Sequence, residues 1–148
     1  MSRTVLAGFD PDALVAAMKR AGMNVPKLAR EAGIGVSTIR AWLSSTNPRL
    51  PQVHHLAKVA KVLNVELNEL IVIPPNDRKL SYYRNILGLG QADLGRLAGL
   101  PTSTVSAVER GELVTLNDSV VAKLASVLRI SESEFRTAYQ RTRRPEKR

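Results

Sequence analysis

Apolar residues recur at spacings of three and four along most of the chain, a period typical of amphipathic helices. The first predicted helix begins after Asp10, a residue suited to capping, and ends at Gly22. Its expected apolar face consists of Leu14, Val15, Met18 and Ala21. Four more helices are expected over about 24–32, over about 36–44, after Pro51, and over about 66–71. The first half of the chain therefore predicts five short helices.

The second half repeats this pattern. The segment beginning at Leu28, LAREAGIGVSTIRAW, aligns with LGRLAGLPTSTVSAV from Leu94 at an offset of 66 residues. A later segment, LAKVAKVLNVELNEL from Leu56, aligns with VAKLASVLRISESEF from Val121 at an offset of 65 residues. Related domains tolerate a one-residue difference in loop length. The repeat predicts two copies of one five-helix fold.

The boundary between the copies is expected at the segment IPPND, because Pro74 and Pro75 cannot continue a helix. Ser131 and Glu134 predict a capping box at the start of the last helix. The predicted architecture is all-α, with domains over 1–73 and 80–135, a linker over 74–79, and a basic tail over 136–148.

The composition of the chain indicates the class of molecule that it binds. The chain of 148 residues has 44 % hydrophobic but only 4 % aromatic residues, which suits packed helices. Its net charge of +9 favours polyanions, and nucleic acid leads among them. Residues 1–73 carry +4, residues 74–135 are balanced, and residues 136–148 carry +5. Without cysteine, thiolate chemistry and Cys-ligated zinc are excluded.

The segment QADLGRLAGLPTSTVSAVERGE, from Gln91 to Glu112, resembles the helix-turn-helix of the XRE family, which includes the lambda repressor. The first copy keeps the same plan but has Val25 where the family usually has Gln, and Ser44 and Ser45 where Asn or Arg followed by Gly is usual. The layout is also similar to two-domain immunity repressors of temperate actinobacterial phages. The resemblance implies a sequence-specific transcriptional regulator, most simply a repressor, that binds double-stranded DNA.

The residue types in both copies suit two helices that cross through a short turn. Small Ala29 and Gly95 allow the backbones to approach, and Gly33 and Gly99 tolerate the positive φ of the turn. The buried positions are predicted to be Leu28, Ile34, Ile39 and Trp42, matched by Leu94, Leu100, Val105 and Val108.

The third helix of each copy, by the resemblance, enters the major groove. The implied base-reading residues are Val36, Ser37, Arg40 and Ala41 in the first copy and Thr102, Ser103, Ser106 and Ala107 in the second. Arg40 is the most specific of these predictions, because a guanidinium can donate hydrogen bonds to both acceptors of a guanine. The second set holds no basic residue, and Glu109, Glu112 and Asp118 are expected close to the surface that faces DNA.

Phosphate contacts position such a module without reading sequence. The expected contacts are Lys27, Ser44, Ser45, Arg49, Gln91, Arg110, Arg141, Arg143 and Arg144. One chain with two readers is expected to bind an asymmetric site as a monomer, and a homodimer is the alternative. A connector over 73–79, if extended, spans at most ~25 Å, which leaves readers one helical turn apart, about 34 Å, within reach.

Other functions are disfavoured by the sequence. His54 and His55 are adjacent and lack carboxylates at ligand spacing, so no metal is expected. We expect neither an enzyme nor a cofactor, because no nucleophile and base pair or phosphate-binding glycine loop is apparent. The remaining alternative is a DNA-binding adaptor or antitoxin whose second domain binds a protein or dimerises. With no signal peptide or membrane segment evident, a cytoplasmic, nucleoid-associated location is expected.

Overall fold

The computed structural model describes residues 6–46 and 48–143, which form ten α-helices and no β-strand. The backbone divides into two compact units, with the division between Val72 and Ile73. Each unit holds five of the helices. The predicted all-α fold with two tandem five-helix domains is therefore confirmed.

The first unit follows the expected helix order closely. Its helices are α1 (Pro11–Ala21), α2 (Val25–Ala32), α3 (Val36–Leu43), α4 (Val53–Leu63) and α5 (Leu67–Leu70). The Asp10 carboxylate accepts hydrogen bonds from the backbone N–H groups of Asp12 and Ala13, at 3.0 and 3.3 Å. Helix α1 ends at Gly22, whose φ of +67° is the left-handed conformation expected of a terminating glycine.

One feature of α1 differs from the sequence prediction. Its buried stripe consists of Leu14, Ala17 and Met18, whereas Val15 and Ala21 are exposed. Residues at i, i+3 and i+4 share one side of a helix, and only this side of α1 is buried in the first unit. Val15 lies one residue after Leu14, about 100° around the helix, and therefore turns toward solvent.

The core of the first unit joins all of its helices. The fully covered residues are Leu14, Leu28, Ile39, Leu56, Val59, Leu70 and Ile71. Trp42 is only 2 % exposed and meets the ring of Phe9 edge-on at 6.3 Å, so its predicted core role is confirmed. Phe9 also pairs with Ile71 in a single antiparallel bridge, which fastens the chain before α1 to the end of α5.

The second unit repeats the arrangement with α6 (Leu80–Asn85), α7 (Gln91–Ala98), α8 (Thr102–Glu109), α9 (Asp118–Leu128) and α10 (Glu132–Arg143). Its core is lined by Leu80, Leu94, Val105, Val108, Val121, Leu124, Phe135, Ala138 and Tyr139. The Ser131 hydroxyl caps α10 by accepting from the N–H of Glu134 at 2.9 Å. The carboxylate of Glu134 accepts from the hydroxyl of Tyr83 at 2.5 Å.

The predicted tail begins too early. Helix α10 continues through Arg143, and both Ala138 and Tyr139 are buried in the second unit. The Tyr139 hydroxyl donates to the carbonyl of Leu113 at 2.6 Å and accepts from its N–H at 3.0 Å. These contacts make residues 136–143 part of the folded unit, because an apolar stripe persists beneath the basic side chains. Residues 144–148 lie outside the described residues.

The connector is folded rather than extended. Pro75–Asp77 form one turn of 3₁₀ helix, and the Arg78 Nε donates to the carbonyl of Ile73 at 2.9 Å. The guanidinium of Arg78 also lies over the ring of Tyr82, 4.6 Å from its centroid. Local hydrogen bonding therefore keeps the segment shorter than the extended limit given by its length.

Candidate nucleic-acid interface

In the first unit, α2 and α3 form the crossed pair that the sequence predicted. Gly33 joins them with a φ of +70°, and the N–H of Ile34 donates to the carbonyl of Ala29 at 3.0 Å. The Asn24 side chain caps α2 by accepting from the N–H of Lys27 at 2.9 Å. These bonds fix the angle at which α3 leaves the turn.

Helix α3 has one buried face and one exposed face. Ile39 and Trp42 lie in the core at 0 % and 2 % exposure. On the other side Ser37 and Arg40 are exposed, Val36 is 37 % exposed, and Ala41 is half-buried. Val36, Ser37, Arg40 and Ala41 thus come together on the outward side of one rigid helix.

The segment after α3 carries the first set of expected phosphate contacts. Ser45 and Arg49 are exposed, and the Arg49 N–H donates to the carbonyl of Ala41 at 3.0 Å. The Ser44 hydroxyl accepts from the N–H of Thr46 at 3.4 Å. Lys27 is exposed in the first turn of α2. The hydrogen bond from Arg49 holds the chain after α3 against the last turn of that helix.

In the second unit, the turn between α7 and α8 approaches the backbone of Gly95 more closely than a side chain would permit. A Cβ placed on Gly95 would lie 2.7 Å from the carbonyl oxygen of Leu100, which is shorter than any real contact. Gly99 supplies the turn with a φ of +70°, and the Leu100 N–H donates to the Gly95 carbonyl at 2.8 Å. Of the expected base-reading residues here, Thr102 and Ser103 are exposed, and Ser106 and Ala107 are half-buried.

A buried ion pair joins α6 to the end of α8. The Arg84 guanidinium donates from Nε and Nη2 to the two carboxylate oxygens of Glu109, at 2.6 and 2.9 Å. The side chains are 1 % and 8 % exposed. Arg84 Nη1 donates to the Leu89 carbonyl and to Asn85 Oδ1, at 2.9 and 3.1 Å. Both charges are therefore paired and hydrogen-bonded away from water.

This pair changes two sequence predictions. Glu109 was expected close to the DNA-facing surface, but it is buried against Arg84. Gln91, expected to reach a phosphate, donates from Nε2 to the Glu109 carboxylate at 3.0 Å. Sequence reasoning missed Arg84 altogether. The available signal was a single charge in the stretch from Tyr82 to Leu87, which is otherwise uncharged.

Arg110, at the end of α8, makes a second and exposed set of contacts. Its Nε and Nη2 donate to the Glu112 carboxylate at 2.5 and 3.2 Å. Its Nη1 donates to the hydroxyl of Ser106, one turn earlier on α8. The hydrogen bond from Arg110 lowers the pKa of the Glu112 carboxyl and raises that of the guanidinium. The side chains of Arg110 and Glu112 are 55 % and 51 % exposed, so both groups are accessible to solvent.

Two of the expected phosphate contacts in α10 are engaged within the second unit. Arg141 is 17 % exposed, donates to the carbonyl of Arg78 at 2.8 Å, and lies 3.6 Å from the Glu134 carboxylate. The guanidinium is therefore held within the second unit, and its role as a phosphate contact stays a prediction. Arg143 donates to the carbonyls of Gly111 and Leu113, at 2.8 and 2.9 Å. Arg144 lies outside the described residues.

Within residues 6–46 and 48–143, no group of three or more His, Cys, Asp or Glu side chains is placed to hold a metal ion. Burial, followed by the charges of His54 and Lys58, lowers the pKa of His55. None of the described helices has the length and apolar character needed to cross a bilayer.

Two family models match the chain, one on each unit. Residues 14–76 match the Cro/C1-type HTH DNA-binding domain, and residues 80–135 match the family described as Helix-turn-helix. No curated protein matches the chain. The matched segments contain α2 with α3 and α7 with α8, the two crossed pairs described above. The chain belongs to the XRE family of DNA-binding regulators and carries two Cro/C1-type helix-turn-helix domains in tandem.

Proposed function

We propose that this protein is a transcriptional repressor that reads one double-stranded DNA site with α3 and α8. The observation that carries the proposal is the outward face of α3, where four candidate base-reading residues stand on a helix whose opposite face is locked into the core. A rigid helix fixes the positions from which these side chains project, so the backbone adds little ordering cost when they meet a base.

Arg40 is the centre of the first reading surface. Its guanidinium can donate two parallel hydrogen bonds to O6 and N7 of a guanine. Val36 and Ala41 offer apolar contact to a thymine methyl group, and Ser37 can serve several bases. The first domain therefore distinguishes G·C from A·T pairs within a short stretch of major groove.

Phosphate contacts hold the first domain in register. Lys27 lies in the first turn of α2, where helix N–H groups also attract anions. Ser44, Ser45 and Arg49 bracket the other end of the pair. Together these groups contact DNA phosphates on either side of the groove that α3 enters.

The second domain contributes a weaker direct reading. Thr102 and Ser103 are exposed at the start of α8, and small hydroxyl groups discriminate bases less than a guanidinium does. The burial of Glu109 removes one negative charge that the sequence had placed at the surface. Because Arg84 is buried with it, the half stays balanced in charge, but the Glu109 carboxylate does not lie where it would repel DNA.

Repression follows from occupancy. A protein bound across a promoter blocks polymerase from the same DNA and needs no additional contact. Cytoplasmic, nucleoid-associated protein is the form in which such binding would occur, and catalysis plays no part in it.

The test is a binding-site selection from a random DNA library with the full chain, followed by transcription in vitro from a promoter that contains the selected site. Repression in proportion to site occupancy is expected, and activation or no effect would contradict it. Affinity should also fall steeply with salt: about six neutralised phosphates give a log–log slope of roughly −5.

Matched variants separate the role of each domain. Ser37→Glu on α3 and Ser103→Glu on α8 place a carboxylate at equivalent exposed positions. Loss of binding in both supports two DNA readers. If Ser103→Glu leaves binding intact, the second domain does not face DNA, and an adaptor with a protein partner replaces the repressor with two readers.

A further inference from the structure

Arg110 places a guanidinium at the end of α8, a helix whose expected base-reading residues include no basic side chain. Arg110 follows Ser106 by four residues, and side chains at this spacing lie on the same face of a helix. Helical side chains lean toward the N-terminus, over the preceding turn. The hydrogen bond from Arg110 Nη1 to the Ser106 hydroxyl shows this lean directly.

The Glu112 carboxylate fixes the guanidinium from its other side. It accepts from Nε and Nη2, so one edge of the planar group is occupied. A guanidinium has five N–H donors. Two are bonded to Glu112 and one to Ser106, which leaves one N–H on each terminal nitrogen.

When Ser106 accepts the Nη1 hydrogen that faces Cδ, the two remaining N–H groups are parallel and match O6 and N7 of guanine. A phosphate, by contrast, is best served when the guanidinium is free to swing toward the backbone, and Glu112 would repel it. The charge of the ion pair is nearly cancelled, whereas the directional donors remain. This arrangement favours base reading over phosphate attraction.

We infer that Arg110 is the base-reading guanidinium of the second domain, directed at a guanine, and that Glu112 and Ser106 are its positioning residues. The inference rests on the proposed function, because it needs α8 in the major groove. It replaces the phosphate role expected from sequence. It also gives each domain one guanidinium reader, Arg40 on α3 and Arg110 on α8.

The test repeats the binding-site selection with wild type, Arg110→Ala, Arg110→Lys and Glu112→Gln. Wild type should select a guanine that Arg110→Ala no longer requires, while preferences elsewhere in the site persist. Replacing that guanine, or changing it to 7-deazaguanine, should weaken wild type roughly 5- to 150-fold. Arg110→Lys keeps the positive charge but lacks the planar pair of N–H donors, so it should lose the same preference for guanine.

Glu112→Gln tests whether Glu112 positions the Arg110 guanidinium or contributes only its negative charge. It should lower the preference for guanine while affinity for random DNA stays level or rises, because a negative charge is removed near the phosphates. Glu132→Gln removes the same charge at another exposed position and should leave the preference unchanged. Circular dichroism of each variant checks that the fold is intact.

The results that would overturn the inference are distinct from those that would overturn the proposed function. An equal loss by Arg110→Ala on selected and random DNA would make Arg110 a phosphate contact. Glu112→Gln binding all sequences more tightly with its preference unchanged would make Glu112 only a source of repulsion. No consensus with wild type would instead refute sequence-specific binding itself.

Discussion

Arg84 and Glu109 form a two-point ion pair beneath the second helix-turn-helix, with donor–acceptor distances of 2.6 and 2.9 Å. The pair ties α6 to the last residue of α8, immediately before Arg110. It therefore fixes the end of the reading helix from inside the domain. Because Gln91 also bonds to Glu109, the start of α7 shares the same anchor.

Removing one member of this pair should be costly. Glu109→Ala leaves the Arg84 guanidinium buried without its counter-charge, and we expect a loss of about 3–5 kcal/mol in the free energy of unfolding of the second domain. Glu112→Ala removes an exposed carboxylate whose ion pair is screened by water, and it should change the free energy of unfolding far less. An equal effect of the two substitutions would contradict the structural role of the buried pair.

The aromatic residues make this measurement selective. All three tyrosines, Tyr82, Tyr83 and Tyr139, lie in the second domain, and the only tryptophan, Trp42, lies in the first. Urea unfolding followed by tyrosine near-ultraviolet circular dichroism therefore reports the second domain, and tryptophan fluorescence reports the first. Glu109→Ala should shift the tyrosine transition and leave the tryptophan transition in place.

Gly95→Ala should destabilise the second domain. Alanine favours a helix by about 1 kcal/mol over glycine, but its Cβ would lie 2.7 Å from the Leu100 carbonyl oxygen. A backbone atom cannot move aside as a flexible side chain does, so overpacking at about 1–3 kcal/mol should prevail. The tyrosine-detected unfolding midpoint is expected to fall.

The equivalent position in the first domain provides the control. Ala29 already carries a Cβ there and is 3 % exposed. Ala29→Gly should lower the tryptophan-detected midpoint, since helix propensity and burial are both lost. Stabilisation by Gly95→Ala would mean that the close approach of the Leu100 carbonyl to Gly95 is not required.

Tyr83 should make stability depend on pH in the alkaline range. Burial, followed by the hydrogen bond to Glu134, raises the pKa of the Tyr83 hydroxyl above its ordinary value of 10.0. The unfolded chain then loses this proton at lower pH than the folded chain, so the stabilisation is complete below about pH 10 and declines as pH rises further.

The comparison with Tyr83→Phe isolates that contribution. Wild type should exceed Tyr83→Phe by about 1 kcal/mol at neutral pH, the value of one hydrogen bond. The difference should be constant up to about pH 10 and shrink above it. A difference that stays unchanged at pH 11 would exclude the linkage.

Arg40→Ala should reduce sequence discrimination by the first domain. The loss on the selected site is expected to be about 1–3 kcal/mol, with one base position relaxed, because a two-point contact to guanine disappears. Lys61→Ala removes the same charge in the last turn of α4 and serves as the control. Titration of selected and random DNA tests this, and equal losses on both would assign Arg40 to the backbone.

Local patterns predicted the helices of this fold well because their signals are short in range. Asp10, Gly33 and Gly99 act on backbone groups within a few residues, so sequence alone located the corresponding caps and turns. The repeat then supplied the fold of each half. Trp42 was assigned to the core because its spacing from Ile39 matched that of Val108 from Val105.

Long-range contacts were harder to predict. Arg84 meets Glu109 across 25 positions, and Arg141 meets Arg78 across 63. No periodicity indicates such partners. Charged residues were therefore assigned to the DNA-facing surface, although some of them make hydrogen bonds and ion pairs within the second domain. The continuation of α10 was missed for a similar reason, since its buried Ala138 and Tyr139 lie among charged neighbours.

The last prediction concerns the stoichiometry of binding. The two reading surfaces differ, with Val36, Ser37 and Arg40 on one helix and Thr102, Ser103 and Ser106 on the other. A chain that carries two different readers gains a long site without a partner, because the second reader is held at high effective concentration. Two identical chains would instead impose a palindrome.

One chain should therefore occupy one asymmetric site. Native mass spectrometry of the complex on a selected duplex should give a one-to-one mass, and footprinting should show protection without an inverted repeat. A matched duplex, in which the first half of the site is repeated as a palindrome, should bind each chain more weakly, since α8 then meets the wrong bases. Two chains bound cooperatively on an inverted repeat would refute the prediction, because pairing of copies, rather than the covalent tandem, would then set the length of the site.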